Sequence, residues 1–172
     1  ILWRQKIGAG WSGLVIVGAV AITQEQRGEN EHVVAYELLT GKPLWQHADQ
    51  SRYNTVIAGE GPRAVPAIVS NRVFTCGGAG LLNCLDLATG KRLWSRDLVA
   101  ESGGKVPQWG YACSPLVVDN RVIVHGGEEV GLRVVVHEEV AGLRRVVEDG
   151  LGDELPVVGA VAVGVGPREA AG

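Results

Sequence analysis

The sequence predicts an all-β protein built from repeated units of four short antiparallel strands. Three observations carry that prediction. The stretch Leu85-Asp86-Leu87-Ala88-Thr89-Gly90-Lys91-Arg92-Leu93-Trp94 has an earlier twin, Tyr36-Glu37-Leu38-Leu39-Thr40-Gly41-Lys42-Pro43-Leu44-Trp45, identical at six of ten positions and displaced by 49 residues. Runs of β-branched and small apolar residues around a two-residue turn recur three times in step with it. The connection to the next unit is constant, with 21 residues from Trp45 to Pro66 and from Trp94 to Pro115. A fixed period near 50 marks a repeat architecture, in which each unit buries its apolar face against a neighbour.

Taken in order, Leu2-Trp3-Arg4 reads as the end of a unit whose beginning is missing, a remnant over residues 1–12. With no Met in the chain, this suggests a fragment of a longer protein. The first full unit spans 13–47 and the second 66–97, and a third starts at 115–127. Each opens with a hairpin whose expected turns are Val17-Gly18, Ser70-Asn71 and Asp119-Asn120. Gly and Asn at the second turn position tolerate the positive φ of a tight hairpin.

A loop then leads to the third strand, polar and long in the first unit (Gln24 to Glu31) and compact in the second (Gly77-Gly78-Ala79-Gly80). Gly13 to Trp45 spans 32 residues and Pro66 to Trp94 spans 28, so four residues are inserted in that first loop. The Gly-rich loop lacks the Lys-Ser/Thr of a phosphate-binding loop and precedes a strand.

Within the twin motif, Asp86 is placed to accept turn amides and Gly90 to supply a left-handed residue, supported by Thr89. Glu37, Thr40 and Gly41 repeat the arrangement with a longer and less secure acid. Leu93 and Trp94 fall on opposite faces of the fourth strand, and Trp45 and Trp94 are expected to pack between units. Gly8, Gly61 and Gly110 align just before each first strand, where a bend or close backbone approach is expected.

The repeat stops near residue 128. The next motif is due at 134–143, but no Thr-Gly or Trp occurs there. From Glu128 to Gly172 only nine residue types occur, all encoded by codons beginning with G or C. The tail reads as a low-complexity, disordered extension or as an out-of-frame translation, with at most a weak helix over 137–148.

Charge divides unevenly. Residues 1–127 carry 12 Lys/Arg against 10 Asp/Glu, and residues 128–172 carry 4 against 9. Neither part has the basic excess of a nucleic-acid surface, and no apolar run approaches the roughly 20 residues of a membrane helix. Cys76, Cys84 and Cys113 have no metal-binding spacing. A hairpin loop at 77–80 would set Cys76 opposite Leu81 and Cys84 opposite Val73, so buried free thiols are expected rather than a disulfide.

The acidic-x-x-Thr-Gly-Lys-x-Leu-Trp motif, following four-strand patterning, resembles the pyrroloquinoline quinone (PQQ)-like β-propeller repeat over residues 1–127. The resemblance implies a partial β-propeller of about two and a half repeats, with four-stranded antiparallel blades. A full ring has roughly 4–8 blades, so an isolated piece would leave unpaired edges and be marginal or aggregation-prone. In the family the motif's Trp docks one blade on the next. That implies a structural role for Trp45 and Trp94, with Thr40-Gly41 and Thr89-Gly90 as the supporting turns.

Such repeats serve quinoprotein alcohol and glucose dehydrogenases, and also a scaffold lipoprotein of bacterial outer-membrane assembly that binds no quinone. The function expected is a non-catalytic binding or scaffold module in the periplasm, cell envelope or extracellular space. The alternative is part of a PQQ- and calcium-dependent dehydrogenase. There Trp109 would stack on the quinone, Arg63 would pair with a cofactor carboxylate, and Trp11 would lie on the same channel-facing loops. The competing role for these three is loop packing between blades. The adjacent Cys-Cys pair of the dehydrogenases is absent, and no calcium set can be placed by motif.

Overall fold

The computed structural model describes residues 1–118 and 121–125, together with the backbone of 132–136. The expectations for residues 119–120, 126–131 and 137–172, including the Asp119-Asn120 turn, the weak helix and the character of the tail, lie outside the described residues. The first sheet runs in the order β1 (Val15–Val17), β2 (Val20–Arg27), β3 (Asn30–Glu37), β4 (Pro43–Asp49). A two-stranded ribbon of β5 (Asn54–Thr55) and β6 (Gly59–Glu60) occupies the connection. The second sheet holds β7 (Ala67–Val69), β8 (Arg72–Cys76), β9 (Leu81–Asp86) and β10 (Arg92–Asp97). After the short helix α1 (Leu98–Ser102) comes a third sheet of β11 (Leu116–Val118), β12 (Arg121–His125) and β13 (Leu132–Val136). Every pairing is antiparallel. The fold is all-β, a partial β-propeller, and the edge strand β7 of the second sheet approaches the edge strands β1 and β11 of its two neighbours.

Two apolar layers hold the sheets face to face. Ile22, Val33 and Ala35 from the first sheet meet Val73 and Leu85 from the second. On the opposite face of the second sheet, Phe74, Cys76, Leu82 and Cys84 meet Val122 and Val124. Adjacent strand residues alternate between the two layers, as Val73 and Phe74 do, which is the pleat's two-residue period. α1 is capped by Asp97, whose carboxylate accepts from Val99 N (3.0 Å) and Ala100 N (2.9 Å).

The structure corrects four local expectations. In the first hairpin Val17 pairs with Val20, so the turn is Gly18-Ala19, one residue later than expected. The left-handed residue is then the first of the turn, Gly18 (φ 54°) or Ser70 (φ 56°), and Asn71 is not left-handed. The tract 24–31 is not a loop: β2 and β3 pair without interruption from Val20–Glu37 to Arg27–Asn30, eight pairs against five between β8 and β9, so the tract lengthens both strands. In the second unit Gly77 N donates to Leu81 O (2.9 Å), closing the turn one residue tighter than assumed. Cys76 therefore stands opposite Leu82, and Cys84 opposite Phe74. Cys76 and Cys84 are buried free thiols, while Cys113 is exposed.

Candidate functional site

Each Thr-Gly turn is closed from within and covered from outside. Gly90 N donates to Asp86 O (2.8 Å), and Gly90 has φ 71°. The Asp86 carboxylate accepts from Thr89 N (2.9 Å) and Thr89 Oγ1 (2.7 Å). The Thr89 hydroxyl and turn amides hold that carboxyl below the usual range. In the earlier copy Gly41 N donates to Glu37 O (2.8 Å), and the Glu37 carboxylate accepts from the Thr40 hydroxyl.

Over the second turn lies the indole of Trp45, with Nε1 donating to Leu87 O (2.9 Å) across the sheet boundary. Over the first turn Trp3 does the same, donating to Leu38 O at 2.8 Å. A β-carbon on Gly41 would stand 2.5 Å from the Trp3 ring, and one on Gly90 would collide with Trp45. Trp94, the next in the series, packs on Phe74 with ring centroids 6.1 Å apart.

At the connector end, Trp11 and Trp109 are largely exposed. They lie on different connections, with the β5–β6 ribbon between them. Trp11 N donates to Pro62 O (2.8 Å), and the Tyr53 hydroxyl donates to Gln108 O (2.5 Å) beside Trp109. Val56 and Ile57 at the ribbon tip are exposed as well. Arg63 does not reach outward. Its guanidinium donates to Gly61 O (2.6 Å), Ala58 O and Gly59 O (3.3 Å), and sits 4.6 Å from the centre of the Tyr53 ring. Those three bonds direct Arg63 to the loop that carries it, while the Trp11 and Trp109 rings stay exposed. Among the described residues no group of three or more His, Cys, Asp or Glu is placed to hold a metal ion.

A polar seam that the sequence did not reveal lies between the first and second sheets. Glu31, near the tip of β3, is 6% exposed and accepts from Gly78 N at 2.8 Å. The Gly-rich loop thus receives a carboxylate from the neighbouring sheet. A β-carbon on Gly77 would overlap the Glu31 carboxylate, and one on Gly78 would stand 2.8 Å from Cβ of Tyr53. Asp49, on β4, accepts from Asn83 Nδ2 (2.6 Å) and Arg92 Nη1 (3.2 Å) and bonds His47 Nε2 at 3.1 Å.

The two acids titrate in opposite directions. Burial first, then the Asp49 charge, pushes the Glu31 carboxyl up to about 7. Burial works on Asp49 too, but the His47 and Asn83 hydrogen bonds and the Arg92 charge outweigh it and hold that carboxyl below its usual range. Glu31, Asp49, Thr75, Gly77 and Asn83 line a small shared cavity. Composition could not announce this cluster, because its members come from β3, β4, β8, β9 and the Gly77 loop.

No curated protein matches the chain. The model of a PQQ-like repeat family, described as outer membrane protein assembly factor BamB, matches residues 29–144. Among solved structures, a europium-containing methanol dehydrogenase is similar at 23% identity and TM-score 0.52, over 71% of this chain and 21% of that one. The quinohemoprotein alcohol dehydrogenase from Comamonas testosteroni is similar at 21% identity and TM-score 0.53, over 69% of this chain and 17% of that one. BamB from Moraxella catarrhalis shares 17% identity at TM-score 0.46, over 73% of this chain and 33% of that one. The chain spans a third or less of each of these three structures. No helix among the described residues is long and apolar enough to cross a membrane. The family match covers two-thirds of the chain, 116 of 172 residues, and the chain belongs to this PQQ-like repeat family described as outer membrane protein assembly factor BamB.

Proposed function

We propose that the chain is a binding and scaffold segment of a longer PQQ-like propeller, working in the bacterial cell envelope and presenting its connector end to a protein partner. The observation that carries this reading is Arg63. A guanidinium used for cofactor recognition must present a free fork to a carboxylate. Here the fork bonds three carbonyls of its own loop and covers Tyr53, which is the work of a loop-shaping residue. Trp11, Val56, Ile57 and Trp109 are exposed around it, and exposed aromatic and aliphatic side chains are what a protein partner covers. The family's description as an assembly factor agrees with a scaffold. Trp3 and Trp45, bonded alike to successive turns, act as docking wedges between blades, and Trp94 continues the series.

The alternative is a quinoprotein alcohol or sugar dehydrogenase, with PQQ and calcium held by blades beyond this chain. Adding PQQ and Ca²⁺ to the full-length protein and assaying dye-linked alcohol oxidation separates the two. The scaffold reading expects neither a quinone absorbance change nor oxidation. Quinone-dependent turnover would replace it with the dehydrogenase.

A further inference from the structure

We propose that the seam between the first two sheets is a binding site for one small hard cation of the calcium type, held by oxygens of Glu31, Asp49, Thr75 and Asn83. These side chains come from two cross-strand pairs. Glu31 on β3 stands opposite Asp49 on β4, and Thr75 on β8 stands opposite Asn83 on β9. Each lies one two-residue step beyond the apolar layer, as Glu31 does from Val33, Thr75 from Val73 and Asn83 from Leu85. The two pairs therefore project from the faces that meet. All four residues are buried, and all four line one small cavity.

Two independent observations show what this cavity lacks. The first is the acidic pair. Carboxylates directly opposite one another on neighbouring strands repel, and here both are out of water. The contacts of Glu31 suit a carboxylate, because Gly78 N donates to it at 2.8 Å and the Ser51 side chain bonds it. The cations nearby are directed elsewhere. His47 and Arg92 bond Asp49, while the Arg63 fork is spent on three carbonyls of its own loop. The second is Asn83, 2% exposed. Its Nδ2 donates to Asp49 Oδ2 at 2.6 Å, which fixes the way the amide points. Its Oδ1 is left as a buried acceptor with no hydrogen-bond partner. Turning the amide over would set oxygen against oxygen at Asp49.

The donor set selects the ion. Two carboxylates, an amide oxygen and a hydroxyl are all hard oxygen ligands, which suit calcium. Magnesium gives up its waters reluctantly and keeps several of them, and this small cavity has no room for them. Zinc prefers sulfur and nitrogen ligands, and the nearest thiol, Cys76, faces the opposite layer. With only two carboxylates the site belongs to the weak class of calcium sites, with a Kd on the order of 1 mM. Because Glu31 also accepts from Gly78 N, a bound ion ties the β2–β3 hairpin tip to the Gly77–Gly80 loop.

The test is urea unfolding of the full 172-residue chain, stripped with a chelator and returned to CaCl₂ or MgCl₂ at constant ionic strength. Raising Ca²⁺ to about 10 mM should lower the unfolding equilibrium constant about tenfold, and Mg²⁺ should do much less. Glu31→Gln and Asn83→Leu each remove a ligand and should lose the Ca²⁺ increment, whatever their own stability. Glu29→Gln, at an exposed acid of the same hairpin, should keep it. A native chain indifferent to Ca²⁺, an equal response to Mg²⁺, or an undiminished increment in Glu31→Gln overturns the site. Should both ligand variants fail to fold, nitrogen-15 spectra of the native chain decide. Saturable Ca²⁺ shifts of the Gly78 amide and the Asn83 side-chain amide support the site, and their absence overturns it.

Discussion

Trp45 and Gly90 are 45 residues apart and belong to different sheets, yet neither can change without the other. The indole of Trp45 occupies the space where a side chain at residue 90 would begin, and its Nε1–H reaches Leu87 O three residues before. The left-handed backbone of Gly90 both closes its own turn and leaves a bare surface for the neighbouring ring. Gly90→Ala should cost about 1–2 kcal/mol for the left-handed backbone and about 1–3 kcal/mol more for displacing the indole. Gly103→Ala is the control, because Gly103 has φ 65° and a β-carbon there would meet nothing within 4 Å. Urea midpoints of the two variants should therefore differ. Equal losses would mean that the indole contact contributes nothing.

Replacing Trp45 by Phe keeps an aromatic ring over the turn and removes only the Nε1–H. Leu87 O then loses its donor at a partly buried site, which should cost about 1–3 kcal/mol. Trp45→Ala removes the packing as well and should cost about 3–5 kcal/mol. A Trp45→Phe variant as stable as the native chain in urea would show that the hydrogen bond is replaced by water.

These turns were legible because the need is local and repeated. A Thr-Gly pair after an acid calls for one turn shape wherever it occurs, and Glu37 and Asp86 show it twice. The seam was not legible for the opposite reason. Gln24, Glu25, Gln26 and Glu31 are polar and read as a loop, and only partners distant in sequence make them buried strand residues: Ala64 O for Gln24, Gly8 N for Glu25, Ala9 for Gln26 and Gly78 N for Glu31. The Gly-rich loop was similarly opaque, since Gly77 and Gly78 are shaped by Glu31 and Tyr53, residues of the preceding unit and connection. The Cys register slipped by one because a Gly77–Leu81 bond closes the turn within the loop.

Asp49 and Glu31 predict limits to stability at opposite ends of the pH scale. Asp49 has a lowered carboxyl in the fold, so its contribution is present above its unfolded value near 3.8 and is lost as pH falls below that. Glu31 is raised, so its contribution is present below about 4.5 and lost as pH rises through about 7. Asp49→Asn should flatten the acid limb of a midpoint-versus-pH curve and leave the alkaline limb in place. Removing one partner from Arg92 and His47 should also lower the plateau, by about 1–3 kcal/mol. An unchanged acid limb in Asp49→Asn would assign acid unfolding to other carboxylates.

The three thiols should react in two classes. Thiolates are the nucleophiles, so both burial and a raised pKa suppress labelling. Cys113 is exposed, while burial and then the charges of Glu31 and Cys113 push Cys76 up to about 12. Burial pushes Cys84 up to about 11. At pH 8 the thiolate fractions of Cys76 and Cys84 are then about 10⁻⁴ and 10⁻³ by the titration law. A disulfide dye should therefore modify one thiol promptly and the other two only as fast as the second sheet opens. Adding urea should accelerate the slow class and leave the prompt one almost unchanged. Three equally prompt thiols would mean that Phe74, Leu82, Val122 and Val124 do not seal the layer in which Cys76 and Cys84 lie.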